Sequence, residues 1–145
     1  MSVLGIIPCS KEKIWDIDSN VGAVPAHRAY RSSFHCLAQK YIVKHSNQWV
    51  IFSAKYGLIL PHFIIPKSYD ITFSRPTDPC ISIAKLQQQL QSLQPLTTVV
   101  NLCPSSYANK IDIICQNSKT PVQHPLRGVG GWGLMHRWLR EQNVG

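Results

Sequence analysis

The sequence predicts an α/β fold: one three-layer domain over residues 1–145, with helices on both faces of a small, mainly parallel sheet. Three observations lead there. Short apolar runs alternate with amphipathic segments, the order expected of strand–helix–strand crossovers. The first run, "SVLGIIP", is apolar on both faces, as a central parallel strand is. The length of 145 residues suits one core and is too short for two ordinary domains.

After "SVLGIIP" and a loop containing Gly and Pro, "AHRAYRSSFHCLAQKYIVKH" sets Ala26, Tyr30, Phe34, Leu37, Ala38, Tyr41 and Ile42 near one helical stripe. Arg28, Arg31, Lys40 and Lys44 fall off it, which predicts a helix with a basic outer surface. "QWVIFSA" reads as a second buried strand. The stretch from Lys55 to Thr77, with Pro61, Pro66 and Pro76, reads as irregular, and so long a connection in so small a domain points to function. Asp78-Pro79 reads as an N-cap with proline at the first helical position, ahead of Ile83, Leu86, Leu90 and Leu93 at helical spacing. "LTTVVNLC" is the next strand. "PSSYANKIDIICQ" follows as a helix with Tyr107, Ile111 and Ile114 inward, "TPVQH" as a short strand and "GWGLMHRWLREQ" as a final helix. Ligands of such sheets bind beyond the carboxyl ends of the strands. That rule gathers Pro8 to Lys13, Ser53 to Gly57, Cys103 to Tyr107 and His124 to Gly131 on one rim.

The chain carries 15 Lys and Arg against 7 Asp and Glu, a formal charge of +8. Such a surface favours a polyanion, with nucleic acid the leading partner class; the alternative is a basic protein whose charge serves only solubility. No apolar stretch approaches the ~18 residues of a membrane span, and "MSVLGIIPCSKEK" lacks the basic start of a secretory signal. The expectation is a cytoplasmic protein without a membrane partner. Five cysteines (Cys9, Cys36, Cys80, Cys103, Cys115) are an odd, scattered set, which argues for reduced thiols and against structural zinc. No metal and no other cofactor is expected.

Three clusters carry candidate chemistry. Cys9, Ser10 and Lys13 directly follow the first strand, where a thiol beside a cation is a nucleophile and Lys13 with nearby backbone N–H groups holds a phosphate. The other reading of Cys9 is an inert thiol packed under the sheet end. In "FSAKYGLILP", Ser53 and Lys55 leave the second strand, Gly57 permits a tight turn and Tyr56 offers a stacking face. "SYD" adds Tyr69 and Asp70, and a carboxylate near a glycosidic bond orients water or stabilises an oxocarbenium-like transition state. Core packing for the tyrosines and a turn role for Asp70 are the alternatives. In "HPLRGVGGWG" the glycines fit G-x-G-x-x-G, yet too little chain follows for a dinucleotide fold. What is left is an anion site built from glycine-rich backbone, a helix N-terminus and Arg127, with His124 as acid, base or base-edge contact. Trp132 and Trp138 read as helix-packing residues.

With "PCSKEK", "SAKYGLILP" followed by "YD", and the closing "PLRGVGGWGLMHRWL", the chain resembles a family of short bacterial and phage proteins. The P-C-S-x-x-K segment is similar to one in archaeosine synthase, which acts on a modified base in transfer RNA. "SAKYGLILP" with "YD" is similar to segments of the YaaA peroxide-stress proteins. The resemblance implies a uracil-DNA-glycosylase-like α/β fold and a nucleobase setting, with Cys9, Ser10, Lys13, Ser53, Lys55, Tyr56, Gly57, Tyr69 and Asp70 as functional positions. Ile14 and Trp15 stand where archaeosine synthase has proline and tyrosine.

The leading expectation is a DNA glycosylase for a modified base, which must be flipped from a duplex to be reached. Asp70 orients water, Tyr56 or Tyr69 forms a stacking wall, and Lys13, Lys55 and Arg127 hold phosphates; Asp16 is the reserve carboxylate. The second reading is a transferase modifying a base in transfer RNA or DNA through Cys9. The third is a non-catalytic nucleic-acid-binding module.

Overall fold

A computed structural model describes residues 2–144. The elements are β1 (Val3–Pro8), α1 (Ile14–Ile17), β2 (Val24–Pro25), α2 (Ala26–Ala29), α3 (Ser33–His45), β3 (Gln48–Ser53), β4 (Gly57–Ile59), β5 (Ile64–Ile65), α4 (Ile83–Ser92), β6 (Thr98–Asn101), α5 (Ser105–Asn117), β7 (Val122–Gln123) and α6 (Trp132–Gln142). The main sheet runs β4-β3-β1-β6-β7, and β2 and β5 form a separate antiparallel pair. β1 pairs in parallel with β3 and β6, as does β6 with β7.

The sheet is mixed, where the sequence reading expects a mainly parallel one. β4 pairs antiparallel with β3, with Ser53 opposite Gly57. "SAKYG" is therefore a hairpin turn and not the start of an irregular stretch. Gly57 has φ of +81°, a conformation that glycine adopts without steric cost. A Cβ at Gly57 would also collide with Gln89 and Ile81.

Alternation along the strands builds two cores. Leu4 and Ile6 of β1, with Val50 and Phe52 of β3, face Leu86, Leu90, Ile111 and Ile114 of α4 and α5. Ile7 and Ile51 face the other way, onto Phe34, Ala38 and Ile42 of α3 and Leu139 of α6. Each fully buried Leu or Ile contributes about 1.5–3 kcal/mol, so the double-sided burial of β1 makes it the anchor of the domain. Gly5 allows α3 to lie close, since a Cβ there would strike Ile42.

Two further expectations are corrected. The helix predicted over residues 26–45 is interrupted at Tyr30, which is extended and bridges to Lys13. The Arg31 N–H donates to the Glu12 carbonyl at 2.9 Å, and Ser32 restarts the helix by accepting from the His35 N–H at 3.1 Å. The chain thus gives up one turn of helix to grip the loop after β1. Asp78-Pro79 does not open α4. Ser82 caps it, accepting from the Lys85 N–H at 3.1 Å, because the Asp78 carboxylate is already bound to the Thr72 N–H and to Arg75. No helix among the described residues is long and apolar enough to cross a membrane.

Candidate active site

The loop that follows β1 is held in place at several points. Cys9 N–H donates to the Phe52 carbonyl at 3.1 Å, Ser10 Oγ donates to the Glu12 carbonyl at 2.6 Å, and Asp16 Oδ2 accepts from the Lys13 N–H at 2.9 Å. Behind it, the buried His35 joins the Pro8 carbonyl. Beyond the carboxyl ends of β1 and β6 opens a cleft of about 1130 Å³, whose floor and walls include Cys9, Lys13, Phe34, Tyr69, Tyr107 and Trp132. The strand-end rule locates the cleft because crossover loops leave the strands together at that edge.

The floor holds a buried ammonium and a thiol. Lys13 is 5% exposed, with its ammonium 4.7 Å from the centre of the Tyr69 ring. Burial holds its pKa below the usual value, against the opposing pull of Cys9, Asp16 and Asp70. Burial pushes the Cys9 thiol up, and the nearby Lys13 charge only partly offsets it. That favours the inert-thiol reading of Cys9 over a standing thiolate.

Tyr69 belongs to a buried chain of hydroxyls. Ser53 Oγ accepts from the Lys55 and Tyr56 N–H groups at 3.2 and 3.1 Å, which fills its lone pairs. Its own proton is therefore directed at the Tyr69 hydroxyl 2.7 Å away, and the Tyr69 hydroxyl is hydrogen-bonded in turn to Tyr30. Burial raises the pKa of both tyrosines, so both are phenols at neutral pH.

The mouth is ionic. Arg75 Nη2 lies 3.1 Å from Asp70 Oδ1 and 2.8 Å from Asp78 Oδ2. The guanidinium beside Asp70 holds its carboxyl below the usual range, and this exposed carboxylate stays ionised at the rim of the cleft.

Cys9, Ser10, Lys13, Tyr69 and Asp70 all line the cleft, with Asp16. Ser53 lies beneath the lining, tied to it through Tyr69. Lys55 and Tyr56 stand behind Tyr69: the Lys55 ammonium is 5.5 Å from the Tyr69 ring centre, and Tyr56 meets that ring edge-on at 5.4 Å. Gly57 shapes the turn that carries them. His124 and Arg127 lie outside the lining and converge on Asp112, His124 Nε2 at 2.8 Å and Arg127 Nη2 at 3.1 Å. Among the described residues no group of three or more His, Cys, Asp or Glu side chains is placed to hold a metal.

Phe34, Trp132, Tyr107 and Arg75 are among the lining residues that escaped the sequence reading as site residues. Phe34 and Trp132 stack with centroids 4.4 Å apart and an interplanar angle of 21°, joining α3 to the start of α6. Both fit helical packing patterns, so periodicity alone hides them. Tyr107 hydrogen-bonds Thr72 at 3.4 Å. Arg75 was legible only in the spacing of Asp70, Arg75 and Asp78, one basic residue between two acidic ones within one loop.

Residues 4–141 match a family of unknown function (DUF6884). The chain belongs to that family. The "Uncharacterized protein YfjM" of Bacillus subtilis (strain 168) is 31% identical over 137 residues, covering 93% of this chain and 91% of the relative. No solved structure matches the chain. The DUF6884 match takes in every residue of the cleft, from Pro8 to Trp132.

Proposed function

We propose that this DUF6884 protein is a nucleic-acid-acting enzyme of the uracil-DNA-glycosylase-like class, cleaving the N-glycosidic bond of a modified base, with DNA preferred over transfer RNA. One observation carries the reading: the cleft sets an ionised carboxylate, Asp70, against aromatic walls. A flipped base requires flat apolar surfaces, supplied by Phe34, Trp132, Tyr69 and Tyr107. Departure of a base leaves positive charge on the sugar, which Asp70 stabilises or relieves by orienting water. The net charge of +8 attracts the phosphates of the strand. The sequence resemblance to archaeosine synthase and the YaaA proteins points to the same nucleobase setting.

The test is incubation with modified and unmodified DNA and transfer RNA, followed by mass spectrometry of released bases and altered nucleosides. Free base with an abasic product supports the reading. An altered nucleoside retained in the strand points to the transferase through Cys9, and binding that leaves all substrates intact points to the binding module.

A further inference from the structure

Lys13 is the exception among the cations of this chain. Lysines ordinarily stretch their stems over apolar surface and keep the ammonium in water. Lys13 instead lies buried in the floor of the cleft, 5% exposed. Its side chain donates to the Lys11 carbonyl at 3.2 Å, and no Asp or Glu among the described residues forms an ion pair with it. The rings of Tyr69 and Tyr30 stand 4.7 and 6.0 Å from its nitrogen. An amine desolvated in this way is the form lysine takes when it serves as a nucleophile toward carbonyl carbon. A phosphate-holding lysine has the opposite needs, a permanent charge and an exposed tip.

We propose that Lys13 is an imine-forming nucleophile that attacks C1′ of an abasic deoxyribose, giving the cleft a strand-cleaving lyase activity beyond base release. The proposal rests on the reading that the cleft receives a nucleotide. The open-chain form of an abasic sugar is an aldehyde at C1′. The Lys13 amine, in its deprotonated form, adds to that carbon, the carbinolamine oxygen takes up a proton from solvent and leaves as water, and a protonated imine forms. The imine draws electrons from C2′: a proton passes from C2′ to water, a C2′=C3′ double bond forms, and the C3′–O bond breaks with departure of the 3′ phosphate. Water then hydrolyses the imine, restoring the amine and releasing an unsaturated aldehyde. One water leaves and one enters, and no redox partner is involved.

The experiment supplies a duplex oligonucleotide with a preformed abasic site, so base excision is bypassed, and adds sodium cyanoborohydride to reduce the imine. The expected result is a covalent protein–DNA band whose peptide mass maps the adduct to Lys13. Lys13→Met, which keeps the stem length and apolar contacts, lowers trapping by at least about 100-fold, and Lys13→Arg behaves alike with the charge retained. Wild-type protein that is not trapped, or an adduct mapping to other amines and undiminished in Lys13→Met, overturns the proposal. The mapping on wild-type protein decides the matter even if a variant does not fold. Base release without trapping leaves the glycosylase reading intact and removes this one. Trapping at Lys13 without base release from any modified DNA does the reverse.

Discussion

His35 on α3 donates its Nδ1 proton to the carbonyl of Pro8, the last residue of β1, at 2.7 Å, and its Nε2 accepts from the Gln39 amide at 2.8 Å. A carbonyl on one nitrogen and an amide donor on the other specify the neutral Nδ1–H tautomer. This fully buried ring therefore fixes where the site loop leaves the sheet; protonation would keep the Pro8 bond and set two donors, Nε2–H and the Gln39 amide, against each other.

Burial, with the Arg31 charge adding to it, pushes the His35 pKa down from 6.5 to about 4, against the Pro8 hydrogen bond. The unfolded chain then binds more protons than the native one between those two values, so stability rises with pH through that window. It is complete above pH 6.5, and acidification to pH 4 removes up to about 3 kcal/mol. Urea midpoints at pH 7, 5.5 and 4 report this. In His35→Gln the slope across the window flattens; a wild-type midpoint constant over the same range contradicts the assignment.

Asp70 and Cys9 separate the two chemistries. Glycosidic cleavage needs the carboxylate and not the thiol, so Asp70→Asn lowers base release by about 100-fold or more while Cys9→Ala retains most of it. Both variants must show an unchanged thermal transition. The inverse pattern moves the chemistry to the thiol, and full activity in both discards the site.

Ser53→Ala removes the end of the buried hydroxyl chain that ties it to the turn after β3. It strands the Lys55 and Tyr56 N–H groups and leaves the Tyr69 hydroxyl with Tyr30 alone, a cost of about 1–3 kcal/mol in denaturant unfolding. Tyr69→Phe removes one hydroxyl, leaves the backbone groups paired and costs less. If Ser53→Ala is neutral, the turn is held by other contacts.

Nucleic-acid binding should weaken steeply with salt, with a log–log slope of ~0.9 per duplex phosphate neutralised. Lys11 lines the cleft and is exposed, whereas Arg127 is turned toward Asp112. Lys11→Ala should lower the slope by roughly 1 and Arg127→Ala should leave it unchanged. The opposite ranking carries the strand across α5 and the loop before α6.

The main strands and the longer helices were legible in the sequence because hydrophobic periodicity reports a one-sided or two-sided burial directly. Tyr30 shows where that signal ends. Its place on the helical stripe is correct and its burial follows, yet the backbone there is extended because Glu12 and Lys13 pair with it. A pairing between segments so far apart leaves no local trace. The same limit separates the candidate residues. Cys9, Lys13 and Asp70 share the cleft, while Lys55, which the strand-end rule would bring to the same rim, does not line it. Ser53, Tyr56 and Lys55 support it from behind, because the turn at Gly57 returns β4 along β3 and carries them past the rim. His124 and Arg127, read from the sequence as an anion site, both meet Asp112 of α5, a partner that their own glycine-rich segment does not show.

Leu4 in β1 pairs with Gln48 on one side and Val99 on the other. During synthesis β1 therefore leaves the ribosome well before its second neighbour exists, an interval of roughly 5–20 s at ~5–20 residues per second. For that time the central strand of the main sheet has an unsatisfied edge, open to other nascent chains and to holding chaperones. The strand that organises the finished molecule is also the one most exposed to misassembly while the molecule is being made.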